Sequence, residues 1–349
     1  MDEAKLNEFL GKMVGDMGAA VSAALVLTGD KLGLYKALAK DGPLTSEGLA
    51  KATGTTERYV REWLAAQAAS GYIEYDSNGN TFSMSPEQIA VFADDDSPVN
   101  MTGGYLSLAA VIRDEPKVAE AFRSGEGISW GDHDGCLFCG VEKFFRPGYK
   151  ANLVSSWLPA LDGVVEKLEK GAFVADIGCG YGASTMVMAE AYPKSKFFGF
   201  DFHHPSIMHA RKVAEESGLA NARFETVTAR KSPGSDYDLV AFFDCLHDMG
   251  DPVAAMSHAR DILKPDGTVL LVEPFAFDGL AENLNPVGRM YYSFSTTVCT
   301  PSALSQEGGM SLGAQAGETR LKEVATKAGF TRFRRATETP FNLILEARP

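Results

Sequence analysis

The sequence predicts an α/β protein, in which a doubly wound, mainly parallel sheet of seven strands follows a mainly helical region. Before about residue 170 the pattern is helical and has few β-branched runs. After it, short apolar runs alternate with amphipathic segments, which is typical of strands alternating with helices in a doubly wound sheet. Only four residues separate the last two strand candidates, too few for a crossover helix, so we predict that these strands pair antiparallel.

The composition excludes several classes of protein. A chain of 349 residues predicts two domains at about 150 residues each. No apolar run approaches the roughly 18 residues needed to cross a bilayer, and the acidic start lacks the basic and apolar regions of a secretory signal. Five scattered cysteines make no disulfide framework, which favours a reducing cytoplasm. The net charge of −13 opposes unselective binding to nucleic acid.

The helical region begins with an apolar stripe and continues as three short helices and a hairpin. The stripe repeats at steps of three and four residues: Leu6, Phe9, Leu10, Met13 and Met17. The helix candidates are Lys31–Ala39, Thr45–Thr53 and Thr56–Ser70, and the hairpin strands are Tyr72–Tyr75 and Thr81–Met84. This order predicts a winged helix within residues 1–97, followed by a helical connecting segment over residues 98–168 and the sheet domain over residues 169–349.

The sheet domain is predicted from strands that alternate with helices. The strand candidates are Phe173–Ile177, Lys196–Asp201, Ala222–Thr226, Asp238–Phe243, Thr268–Glu273, Thr331–Ala336 and Phe341–Ala347. The helix candidates are Ala183–Ala191, Pro205–Ser217, Pro252–Leu263, Val287–Val298 and Glu318–Ala328. Because a doubly wound sheet binds its ligand at the carboxyl ends of the strands, we expect the chemistry there.

The first predicted strand runs into the glycine-rich sequence DIGCGYG at residues 176–182. Its three glycines allow a tight turn and a close approach of backbone to ligand, but Gly178, Gly180 and Ala183 also satisfy a dinucleotide pattern. Two carboxylates discriminate between the alternatives. Asp176 would repel a pyrophosphate and favour a cationic methionine group, and Asp201, at the end of the second strand, is placed to accept hydrogen bonds from ribose hydroxyls.

These residues resemble motif I of the class I S-adenosylmethionine-dependent methyltransferases. The resemblance implies S-adenosylmethionine as cofactor, with the glycines against it and Asp201 on its ribose. Many members have an acidic residue after the third strand, where this sequence has Thr228-Ala229-Arg230. The alternatives are an ordinary strand-to-helix turn and a solvated strand end. The predicted cofactor site consists of Asp176, Gly178, Gly180, Gly182, Asp201, Phe202, Thr228, Ala229 and Asp244.

The fourth predicted strand ends in DCLHDMGDP at residues 244–252, so that His247 lies on the ligand side of the sheet. This arrangement resembles the small-molecule O-methyltransferases with a winged-helix dimerisation domain, and also a bacterial group of winged-helix methyltransferases with undefined acceptors. The resemblance implies that His247 is the general base and that Glu273 and Glu318 flank it. Met249 stands where the family usually has an aromatic residue. The alternative for His247 is a structural loop histidine.

An acceptor pocket is predicted from aromatic and polar residues of the connecting segment and of a late helix. These residues are Trp130, His133, Tyr149, Arg289 and Tyr292. The aromatic members equally fit an ordinary core. Cys136 and Cys139 form an isolated CxxC without a second pair at metal-binding spacing, so no metal is predicted.

The predicted function is therefore methyl transfer from S-adenosylmethionine to a small-molecule acceptor, most simply a hydroxyl. The alternative is a transcriptional regulator that uses the methyltransferase-like domain as a ligand sensor, and a nicotinamide-dependent dehydrogenase is third. Residues 1–100 carry eight basic and fifteen acidic residues, a poor charge pattern for contacting phosphates. The apolar stripe near the start of the chain exceeds what a small winged helix buries, and it predicts a homodimer through the N-terminal helices.

Overall fold

The computed structural model describes all 349 residues, which divide into two compact units. The first unit contains residues 1–110 and 139–148, and the second contains residues 111–138 and 149–349. The three segments predicted from the sequence divide the chain differently. The reason is that two helices, Thr102–Arg113 and Cys136–Asn152, each contribute residues to both units.

The first unit contains the predicted three helices and hairpin. Its elements are α1 (Glu3–Lys31), α2 (Leu34–Asp41), α3 (Ser46–Thr53), α4 (Glu57–Ala69), β1 (Glu74–Asp76), β2 (Thr81–Ser83), α5 (Pro86–Phe92) and parts of α6 (Thr102–Arg113) and α8 (Cys136–Asn152). Its core centres on Tyr35, whose ring meets that of Trp63 edge-on at 5.0 Å and whose hydroxyl donates to Gln67. The helix predicted over Lys31–Ala39 starts three residues later in the structure, at Leu34, because the backbone of Gly33 adopts the left-handed conformation.

Helix α1 departs from the expectation that no segment reaches membrane length. It is 29 residues long and contains an apolar window with mean hydropathy 1.4, of which 17% is buried. The expectation was wrong here because small Ala and Gly residues continue the apolar stretch. A single helix of this kind near the N-terminus is weak evidence of a membrane span. Its predicted stripe is largely exposed, as shown by Phe9 at 58% and Met17 at 65%.

The second unit is built on a seven-stranded sheet with helices on both faces. After α7 (Glu115–Ser124), its strands are β3 (Phe173–Ile177), β4 (Lys196–Asp201), β5 (Ala222–Thr226), β6 (Tyr237–Phe243), β7 (Leu263–Pro274), β8 (Arg332–Glu338) and β9 (Asn342–Arg348). Its other helices are α9 (Val164–Lys170), α10 (Ala183–Ala191), α11 (His204–Glu216), α12 (Pro252–Ile262), α13 (Pro286–Phe294), α14 (Thr300–Leu304) and α15 (Gly317–Lys327).

The strand order is β5-β4-β3-β6-β7-β9-β8. Strands β3 to β7 pair in parallel, and β9 pairs antiparallel with both β7 and β8, which confirms the predicted fold class. Strand β6 is buried along its whole length because helices cover both faces, as its apolar sequence requires. The parallel strands all end at the same edge of the sheet, which brings together the segments that follow Ile177, Asp201 and Phe243.

Candidate active site

The glycine loop after β3 has one member that faces open space. Gly178, Gly180 and Gly182 all have positive φ, a conformation that residues with a Cβ rarely adopt. A Cβ on Gly178 would lie 2.7 Å from the sulfur of Cys245, and one on Gly182 would lie 2.6 Å from the ring of Phe224. A Cβ on Gly180 would meet nothing within 4 Å. The outer two glycines therefore serve internal packing, and Gly180 is the member that a ligand can approach.

Two buried carboxylates support this loop. The Oδ2 atom of Asp176 accepts hydrogen bonds from Ser184 and Thr185, whereas its Oδ1 is buried without a partner. Burial raises the pKa of Asp176 to about 6 against the effect of these two hydroxyls. Asp201 accepts from the backbone N–H groups of Gly180 and His203, at 2.9 and 2.8 Å. Burial raises the pKa of Asp201 as well, and these N–H groups oppose the shift.

The residues predicted to contact adenine lie beside the ends of β4 and β5. Phe202 follows Asp201 and is 45% exposed, so its ring is available to stack on a planar ligand. Thr228 is exposed and precedes a short 3₁₀ turn that begins at Ala229. Arg230 in that turn forms an ion pair with Glu307. The structure thus offers a ring and small residues here, and the carboxylate of Glu307 beside them is paired with Arg230.

His247 lies in a 3₁₀ turn just after β6 and is almost fully buried. Its Nδ1 lies 2.5 Å from Oε2 of Glu273, near the end of β7, while Oε1 of that carboxylate accepts from the N–H of Leu246. Its Nε2 lies 3.2 Å from Oδ1 of Asp248, which is within ion-pair distance. The two atoms are not aligned for a hydrogen bond. Glu273 therefore fixes Nδ1, and the side chains of Asp248 and Cys299 also lie against the ring.

The charges around His247 favour its protonated form. Burial alone would lower the pKa of His247, but the carboxylates of Asp248 and Glu273 raise it well above the ordinary value. Donor atoms of His247, Asp248 and Cys299 all lie within 4.8 Å of one another, a spacing at which such groups are able to hold a metal ion. The prediction of no metal remains a prediction.

Asp244 joins the end of β6 to two neighbouring elements. It has a left-handed backbone, with φ of 49°, and accepts hydrogen bonds from the hydroxyl of Tyr149 at 3.1 Å and the amide of Asn342 at 3.0 Å. Burial, with a contribution from the charge of Glu273, raises the pKa of Asp244 to about 8. The predicted cofactor residue Asp244 and the predicted acceptor residue Tyr149 therefore contact each other.

Three of the predicted site residues lie on helices of the second unit. Glu318 opens helix α15, where its carboxylate binds the guanidinium of Arg335, and its place beside His247 stays a prediction. An acidic residue in a first helical turn is also stabilised by the helix dipole, and this explains the position without a catalytic role. Arg289 is exposed and Tyr292 is half-buried on α13, and their part in an acceptor pocket stays a prediction.

The segment between α7 and α8 carries Trp130 and His133. Trp130 packs on Phe138 at 5.5 Å between ring centroids, and Phe138 packs on His203 at 4.8 Å, two residues after Asp201. His133 is buried, and its Nδ1 lies 3.1 Å from Oδ2 of Asp114. This places the segment beside the end of β4.

Comparison with known proteins places these residues in a recognised domain. Residues 168–329 match a family described as a methyltransferase domain, and residues 19–93 match the Rv2258c-like winged helix-turn-helix domain. The chain joins a winged helix-turn-helix domain to a methyltransferase domain. The methyltransferase match contains the glycine loop, Asp201, His247 and Glu273.

Curated relatives of the methyltransferase domain cover only part of the chain. A tRNA (guanine-N(7)-)-methyltransferase of Halorhodospira halophila is 31% identical over 123 residues, which are 34% of this chain and 48% of that enzyme. A ubiquinone biosynthesis O-methyltransferase of Dinoroseobacter shibae is 33% identical over 29% of this chain and 40% of that enzyme. The chain therefore spans half or less of the length of these relatives.

Solved structures match over the whole length and share the fold. Human N-acetylserotonin methyltransferase in complex with S-adenosylmethionine superposes with a TM-score of 0.69 at 18% identity, covering 100% of this chain and 98% of that one. Mitomycin 7-O-methyltransferase gives 0.68 at 20% identity, covering 99% of both chains. With the domain matches, these findings confirm the predicted class I fold and S-adenosylmethionine as the cofactor class.

The residues of the methyltransferase domain fit this cofactor. Gly180 faces open space at the loop, and the buried, unpartnered Oδ1 of Asp176 lies at the base of the same loop. Four partners of the site were missed from the sequence. These partners form hydrogen bonds to site residues that are 8 to 98 positions away in the chain, and no local sequence pattern predicts such bonds. They are Asp114, Asn342, Ser184 and Thr185.

Replacement of Asp244 by asparagine tests the buried carboxyl. Because the folded protein raises its pKa to about 8, the protonated form dominates below that value, and ionisation costs stability. Asn tolerates the left-handed backbone and still bonds two neighbours. As the pH rises from about 4, near the ordinary carboxyl pKa, to about 8, we expect the free energy of unfolding of the wild type to fall relative to that of Asp244→Asn. The expected slope is about 1.4 kcal/mol per pH unit.

Urea denaturation of both proteins between pH 5 and pH 9 measures this difference. Asp41→Asn, at an exposed carboxylate, serves as the control and is expected to show no such slope. A difference between wild type and Asp244→Asn that is constant over the whole range would contradict the buried, protonated carboxyl.

Proposed function

We propose that this protein transfers a methyl group from S-adenosylmethionine to a hydroxyl of a small molecule, with His247 as the general base. The observation that carries the proposal is the buried pair of His247 and Glu273, at 2.5 Å, on the same sheet edge as the glycine loop. Gly178 packs directly on Cys245, two residues before His247, so the loop and the histidine turn adjoin. The O-methyltransferases among the structural neighbours support a small-molecule acceptor.

The cofactor is assigned to the loop and the strand ends beside it. Asp201 retains free lone pairs on both carboxylate oxygens for ribose hydroxyls, in addition to the two N–H groups it already accepts. Gly180 gives the backbone close access, and Asp176 places negative charge near the methionine ammonium. Phe202, Thr228 and Ala229 are assigned to the adenine side.

Catalysis combines alignment with removal of a proton. When bound, S-adenosylmethionine supplies an electrophilic methyl group on a positively charged sulfur. Glu273 orients the imidazole through Nδ1, so that Nε2 is the atom that takes the proton of the acceptor hydroxyl. The resulting imidazolium is stabilised by Glu273 and Asp248, and Asp248 thereby serves the acidic role that the family resemblance implies for Glu318.

The winged-helix unit is proposed to dimerise rather than to bind DNA. Both basic side chains of α4 are paired within the helix, Arg58 with Glu62 and Arg61 with Glu57, which leaves little charge for phosphates. The exposed stripe of α1 is the proposed contact between two copies. The five free cysteines support a reducing, cytoplasmic location.

Loss of the Asp201 carboxylate is expected to weaken cofactor binding. A hydrogen bond to a charged group contributes about 1.5–3 kcal/mol, so Asp201→Ala is expected to raise the Kd for S-adenosylmethionine by roughly 10- to 100-fold. Calorimetry measures this, with Asp266→Asn at an exposed ion pair of Lys167 as the control. The wild type is expected to bind no NAD. Tighter binding of NAD than of S-adenosylmethionine would overturn the proposal.

Substitution of His247 is expected to separate catalysis from cofactor binding. His247→Ala leaves the Kd for S-adenosylmethionine nearly unchanged and lowers turnover of a hydroxyl acceptor by roughly 10²–10⁴-fold. Because neutral imidazole is the active form and its pKa is raised, kcat/KM rises with pH to beyond the range of an ordinary histidine. Glu273→Gln removes one of the charges responsible, so its profile reaches the plateau at lower pH. Equal loss of binding and turnover would indicate a structural histidine instead.

Charge on the α1 stripe is expected to separate the proposed dimer. Met13→Glu combined with Met17→Glu places two like charges on the exposed apolar face, and light scattering is expected to show a monomer where the wild type is a dimer. Lys12→Glu changes an exposed charge on the same helix and serves as the control. A monomeric wild type refutes the proposed interface.

A further inference from the structure

A second imidazole in the methyltransferase-containing unit has a free nitrogen. His133 is 5% exposed, and its Nδ1 faces the carboxylate of Asp114 at 3.1 Å. Because a carboxylate only accepts hydrogen bonds, Nδ1 carries the proton and Nε2 of the neutral ring is an acceptor. That Nε2 is buried and has no partner in the protein. A buried acceptor of this kind costs free energy unless a donor reaches it.

Hydrogen bonds on the Nδ1 side of the ring fix the orientation of this imidazole. Oδ2 of Asp114 also accepts a hydrogen bond from the backbone N–H of Asp134. Its Oδ1 accepts one from the ammonium group of Lys117, at 2.7 Å. Lys117 in turn donates to the backbone oxygen of Asp132, next to the histidine. The ring is thus held by a connected set of bonds on its Nδ1 side, an arrangement suited to presenting Nε2 to a ligand.

His133 and its segment lie near residues of both the proposed acceptor site and the proposed cofactor site. The negative charge of Asp248, the neighbour of His247, acts on the pKa of His133, which burial lowers. On the other side, Gly131 approaches the ring of His203, which follows the proposed ribose carboxylate Asp201 by two residues. The ring of His133 is therefore within electrostatic reach of Asp248, and the segment that carries it adjoins His203.

We propose that Nε2 of His133 receives a hydrogen bond from a second donor group on the acceptor molecule, which makes a neutral compound with two hydroxyl groups the preferred substrate class. This inference rests on the proposed function and specifies its substrate. A nitrogen lone pair on a ring held by Asp114, within electrostatic reach of Asp248, attracts O–H or N–H groups and repels carboxylates and phosphates. One hydroxyl binds at His247 and is methylated, and the other binds at His133 and orients the ring.

Paired fragments test the proposal on the full chain saturated with S-adenosylhomocysteine. The probes are phenol, catechol and resorcinol, with salicylate as the carboxylate analogue, and the readout is the ¹⁵N resonance of His133 Nε2, assigned by its loss in His133→Phe. We expect an unprotonated Nε2 in the free protein and a shift on addition of a benzenediol. Phenol and salicylate are expected to leave the resonance in place.

Two variants measure how much binding depends on the lone pair. His133→Phe is expected to weaken benzenediol binding at least 10-fold and phenol binding less than 2-fold, and His133→Gln, which keeps an acceptor oxygen, is expected to restore part of the loss. The proposal is overturned by a protonated Nε2, by no shift with either diol, by tighter binding of salicylate, or by equal losses for phenol and diol. Calorimetry with S-adenosylhomocysteine alone is the separate test of the proposed function.

Discussion

The contact between His247 and Glu273 joins the two strands on which the proposed chemistry depends. One carboxylate oxygen lies 2.5 Å from the imidazole, and the other accepts the backbone N–H of Leu246. Glu273 thereby holds both the histidine ring and the turn that carries it. Its own position follows from the pairing of β7 with β6 and β9 in the middle of the sheet. A fixed ring orientation is what general-base catalysis requires, so the sheet register determines the geometry of the site.

The same edge of the sheet concentrates buried acidic groups at a cost in stability. Asp176, Asp201, Asp244 and Asp248 each have a raised pKa, chiefly because burial removes water from the carboxyl group. Perturbed groups of this kind cluster at functional sites more than elsewhere. A positively charged sulfonium and an imidazolium are the species that such an edge stabilises, which agrees with the proposed cofactor and with the imidazolium that His247 becomes when it takes the acceptor proton.

The sequence predicted the sheet almost completely because strand and helix periodicities are local. Three of the seven strands, β3, β4 and β5, have the predicted ends, and β7 begins five residues early, at Leu263. The glycine loop and His247 could be predicted as candidate site residues because they lie beside strand ends. The partners of the site were not, since the bonds of Asp114 to His133 and of Asn342 to Asp244 join separate elements. Glu318 shows the converse: its place in a helix was correct, but Arg335 takes its carboxylate.

A structure of the protein crystallised with S-adenosylhomocysteine tests the central claim most directly. We predict that the ribose hydroxyls lie within hydrogen-bond distance of the Asp201 carboxylate, that the backbone of Gly180 contacts the ligand, and that the sulfur lies on the side of His247. A ligand bound away from the glycine loop, or one in the loop with its sulfur directed away from His247, would contradict the account.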